Sequence, residues 1–63
     1  MTEADQNRTL RELIRDAIAT AGSAAAATSD PASKDLYGKT QVTLGSALTE
    51  LDDFASREVR NPA

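Results

Sequence analysis

A chain of 63 residues with a formal charge of −3, 40% apolar side chains and neither cysteine nor histidine has room for one marginally stable domain and no disulfide or zinc site to staple it. A pI near 4.6 argues against a dedicated nucleic-acid binder, which carries a basic surplus, and the 12 alanines mean that the apolar fraction overstates the core. No apolar run approaches the ~20 residues of a membrane span, and Met1-Thr2-Glu3-Ala4-Asp5 is acidic where a signal peptide is basic, so a soluble cytoplasmic protein is expected.

Thr2 followed by Glu3, Ala4 and Asp5 is an N-cap signal with acids at the positive end of the helix dipole. It predicts a helix from about residue 3. The apolar stripe of this helix is Leu10, Leu13, Ile14, Ala17, Ile18 and Ala21, continuing weakly through Ala24 and Ala25. Gly22 is a possible C-cap residue, and a flexible linker from Gly22 to Ser29 is the alternative to a continuous helix. The run Ala24-Ala25-Ala26-Ala27 has the best helix propensity available and favours continuation to about Ala27.

Thr28-Ser29-Asp30-Pro31 is the firmest punctuation in the chain. Proline holds its predecessor extended and suits the first helical position, so Asp30 reads as the N-cap and Pro31 as N1 of a second helix over about 31–60, stopped by Asn61-Pro62. Leu36, Thr40, Leu44, Ala47, Leu48, Leu51, Phe54, Ala55 and Val59 share one stripe of it. Asp35 with Lys39 and Asp53 with Arg57 are four-apart ion pairs.

A turn over 28–30 makes the helices antiparallel, with Ala21 near Tyr37, Ile14 near Leu44 and Leu10 near Leu48. The expected fold is an all-α two-helix hairpin over residues 1–63. Its seam is Leu10, Ile14, Ile18, Leu44, Leu48, Leu51 and Phe54, which is wider than one neighbouring helix covers, while the flanks of Leu13, Leu36 and Phe54 stay exposed. Closure into a four-helix bundle, as a homodimer or on a partner chain, supplies the missing layer. Gly38, Val42, Gly45, Thr49 and Ser56 form an uncharged strip beside the leucines. It is either a second contact surface or a run of tolerated surface positions.

Chemistry near pH 7 ordinarily draws on histidine or cysteine, and both are missing. Glu50, Asp52 and Asp53 spread around the helix at about 100° per residue and read as a solvated face. No catalytic, cofactor or metal site and no small-molecule substrate is expected. Arg8, Arg11 and Arg15 make a ridge on the first helix. Phosphate contacts from it would give weak, salt-dependent nucleic-acid binding, but Glu12 and Asp16 interrupt it and no aromatic residue accompanies it, so pairing with acids of the second helix or of a sister chain is expected.

Ser29-Asp30-Pro31-Ala32, with Tyr37 five residues further on, resembles the turn of type III secretion needle subunits, which are helical hairpins with a proline turn. The resemblance covers about ten residues of 63, and the chain has no tryptophan near its start and is shorter after the turn than those subunits. It implies a subunit or chaperone of a polymeric secretion apparatus. Composition and pattern point instead to a non-enzymatic protein–protein interaction module, an adaptor, regulatory or assembly subunit. A nucleic-acid-binding regulator using the arginine ridge is the alternative.

Overall fold

Thr2 sets the start of the first helix. Its Oγ1 accepts the Asp5 backbone N–H at 3.1 Å and donates to Asp5 Oδ2 at 2.9 Å, so one side chain satisfies an otherwise orphaned amide and is itself satisfied. The computed structural model describes residues 2–60, with side chains through Arg57. It contains α1, Glu3–Ala27, and α2, Pro31–Arg60, packed against each other, and no strand among the described residues. The expected stop at Asn61-Pro62 and the side chain of Val59 lie outside what is described.

Gly22 does not end α1, which runs on through the alanines. The end comes at Thr28, whose backbone turns extended (φ −90°, ψ 142°) while its N–H still bonds the Ala24 carbonyl at 3.1 Å. No described residue has positive φ, so the turn needs no glycine. Thr28 Oγ1 accepts the Asp30 N–H at 3.2 Å, and Asp30 then caps α2. Asp30 Oδ2 accepts the Ser33 N–H at 3.2 Å and the Ser33 hydroxyl at 2.7 Å, and the Asp30 carbonyl accepts the Lys34 N–H at 3.0 Å.

The Ser33 hydroxyl and amide hold the Asp30 carboxyl below the usual aspartate range, because both bonds favour its charged form. A pKa lowered on folding contributes stability that is present above the unfolded value of about 3.9 and is lost as pH falls through the folded value. Asp30→Asn keeps the cap without the titration. Wild type is therefore expected to melt higher than the variant near neutrality, with the two curves converging in acid. A gap that stayed constant from about pH 6 to about pH 2 would show that this carboxylate does not carry the cap's pH dependence.

The seam follows a repeat of alternating four- and three-residue steps. Asn7, Arg11, Ile14, Ile18, Ala21 and Ala25 of α1 meet Tyr37, Gln41, Leu44, Leu48, Leu51 and Ala55 of α2. An average spacing of 3.5 residues keeps two helices in contact along a left-handed twist. Ala21 is buried and the others are half-buried, so no large side chain among the described residues is fully enclosed. The straight-helix stripe is corrected at its start. Leu36 and Thr40 are exposed, and Tyr37 and Gln41 take their places.

Gly22 lies against Gln41, whose amide reaches the Ile18 carbonyl, and Arg11 and Arg15 reach Asp52, so long side chains hold the two helices in register across the seam. The result is a rod of 51 × 19 × 11 Å with a radius of gyration of 14.7 Å, against about 11 Å for a compact chain of this length.

Candidate functional site

Two polar contacts fix the register of an otherwise smooth seam. Near the turn, Gln41 Nε2 donates to the Ile18 carbonyl at 3.2 Å. The amide reaches that carbonyl because Gly22 has no side chain: a Cβ there would stand 2.8 Å from Gln41 Nε2. Sequence patterning misses Gln41 because a polar residue breaks the apolar stripe, although its stem packs as an apolar residue does.

A substitution series isolates this lock. Gly22→Ala is favoured by helix propensity by about 1 kcal/mol and opposed by displacement of the Gln41 bond, worth about 0.5–1.5 kcal/mol. Gly22→Ala is therefore expected to be nearly neutral in wild type and clearly stabilising in a Gln41→Ala background. Equal effects in the two backgrounds, read from urea midpoints, would show that glycine and glutamine are not coupled.

Toward the open end, Arg11 is the cation most withdrawn from water among the described residues, its side chain 21% exposed. It donates to Asn7 Oδ1 at 2.7 Å and to Asp52 Oδ1 at 3.2 Å, and Arg15 approaches the same Asp52 oxygen at 3.5 Å. Asp52 is thus the inter-helix partner of two arginines and not part of a purely solvated acidic face. Arg8 pairs with Asp5 of its own helix at 3.2 Å. All three arginines of the ridge face carboxylates, which leaves little uncompensated positive charge for phosphate. The pairs Lys39–Asp35 and Arg57–Asp53 form at 3.0 and 3.3 Å on exposed surface, where such pairs contribute little.

The Arg15–Asp52 contact also identifies the two broad faces of the rod. Arg8 and Arg15 lie on one flank of α1 and Gly38, Gly45 and Asp52 on one flank of α2, and a bond across the seam puts those flanks on a common face. Val42 and Thr49 edge this charged face. A Cβ at Gly38 or Gly45 would meet nothing within 4 Å, so neither glycine is required by packing inside this hairpin, and Val42 is 70% exposed.

The opposite face carries Leu10, Leu13 and Ala17 of α1 and Leu36, Thr43, Ala47 and Phe54 of α2. Four of the five large exposed apolar side chains among the described residues are here: Leu10, Leu13, Leu36 and Phe54, with 47%, 60%, 62% and 38% of their surface in solvent. The hydroxyls of Thr20 and Thr40 bond the Asp16 and Leu36 carbonyls at 2.9 Å, which turns the polar end of each threonine onto its own helix. Of the seven residues expected to form the seam, Ile14, Ile18, Leu44, Leu48 and Leu51 lie in it, and Leu10 and Phe54 lie beside it on this face.

Among the described residues no group of three or more acidic side chains is placed to hold a metal ion, and no helix is long and apolar enough to cross a membrane. No protein-family model, curated protein or solved structure matches this chain.

Proposed function

We propose that this protein is a non-enzymatic assembly or adaptor module that works through self-association, two hairpins closing into a four-helix bundle whose outer surfaces are free to contact a protein partner. Surface area carries the reading. The hairpin exposes 4759 Å², whereas a folded monomer of 6.7 kDa is expected to expose roughly 3900 Å². The excess of roughly 850 Å² is close to what each partner buries in a standard stable interface.

The pairing of the arginine ridge with Asp5 and Asp52 favours a protein partner over nucleic acid. A reducing compartment such as the cytoplasm suits a chain without cysteine. Sedimentation equilibrium at micromolar concentration is the test: the dimer mass is expected. A helical monomer at every concentration would overturn self-association and leave a different chain as the cover of the apolar face.

A further inference from the structure

Resting on the self-association proposed above, we infer that the second copy packs on the face of Leu10, Leu13, Leu36 and Phe54 and runs antiparallel, so that the turn of one hairpin lies at the open end of the other. Two symmetric face-to-face arrangements exist. In the first, both turns lie at the same end and α1 rests on α2 of the sister. In the second, one rod is inverted end over end, so α1 rests on α1 and α2 on α2.

The distribution of bulk separates them. On α1 the large side chains, Leu10 and Leu13, lie in the N-terminal half of the face, and the C-terminal half offers Ala17, Thr20 and Ala24. With both turns at one end, Leu10 and Phe54 of each copy crowd together at the open end, Leu13 falls opposite Glu50, and Leu36 meets the small residues around Ala24. Inversion about the level of Gly45 sets Leu10 and Leu13 against the small C-terminal half of the sister's face, Ala17, Thr20 and Ala24. It brings Leu36 level with the sister's Phe54 and Thr43 level with its Ala47. Every large side chain then meets an apolar or small neighbour, whereas the first arrangement sets Leu13 against Glu50.

Charge selects the same arrangement. Lys39 lines a shallow groove of about 310 Å³ with Leu36, Thr40 and Thr43 at the turn end of the face. In the inverted dimer that groove receives the sister's Phe54, and Lys39 comes beside its Glu50. With both turns at one end, Lys39 would instead face residues 17–29 of α1, a stretch without a single charged side chain.

The chain has no cysteine, so Ser29→Cys at the exposed turn accepts one nitroxide label. Pulsed dipolar spectroscopy is expected to give a separation comparable with the 51 Å length of the rod. A separation of about 20 Å, two helix diameters, would overturn the antiparallel arrangement while leaving self-association standing. Absence of dipolar coupling together with a monomer mass would overturn both. A charge exchange gives an independent readout: Lys39→Glu is expected to raise the dimer dissociation constant severalfold, and Lys39→Glu with Glu50→Lys to restore it. Failure of the exchange to restore association would count against the inverted register.

Discussion

A hundredfold increase in protein concentration is expected to raise the melting temperature by about 10 °C. When a dimer unfolds to two separate chains, a hundredfold change in concentration contributes about 2.7 kcal/mol of apparent stability. Two copies of 63 residues carry an unfolding entropy of about 2.1 cal/mol/K per residue, which sets the shift in temperature. The physical reason is the scarcity of burial within one chain. Ala21 is the one buried residue among those described, and every large seam side chain remains partly in solvent. Circular dichroism melts from about 1 to about 100 μM measure the effect. A midpoint independent of concentration would show that the hairpin is stable alone.

The second large effect is expected from Leu48→Ala, compared with Leu13→Ala and Val42→Ala. Truncation of a fully buried leucine costs about 2–5 kcal/mol. Leu48 is half-buried in the seam, so a loss near the lower end of that range is expected. For a domain with little stability to spare, such a loss leaves a large unfolded population at low concentration. Leu13 is 60% exposed and Val42 is 70% exposed. Within an isolated hairpin both truncations should change stability by less than about 0.5 kcal/mol. The dimer separates them: Leu13 lies on the face assigned to the sister chain and Val42 on the charged face. Leu13→Ala should therefore weaken association and Val42→Ala should not. Equal, negligible effects of the two in sedimentation equilibrium would remove the face of Leu13 from the interface.

The beginnings of both helices and the turn between them were legible in the sequence because caps are built from residues no more than four apart. Thr2 with Asp5, and Asp30 with Pro31 and Ser33, form the same contacts whatever the rest of the chain does. Gly22 was ambiguous for a related reason. Local rules allow it either to end a helix or to sit within one, and a distant residue, Gln41, occupies the space left by its missing side chain.

What only the tertiary structure decided is which residues of each amphipathic helix face the other and at what level they meet. A straight helix repeats every 3.6 residues, while a pair in continuous contact repeats every 3.5. Over six turns the seam drifts away from the stripe read along one helix, so Leu36 moves to the flank and Tyr37 enters. Polar side chains conceal the remainder. Arg11 and Gln41 occupy seam positions through their stems and send their polar ends to Asp52 and to the Ile18 carbonyl, while Asn7 accepts from Arg11. The register follows from those long-range bonds and from the gap at Gly22, which lie 41, 23 and 19 residues from their partners. Helix-forming tendency and amphipathicity are properties of each segment and were present in the sequence, whereas the level at which the segments meet is set only once the side chains of both are in place.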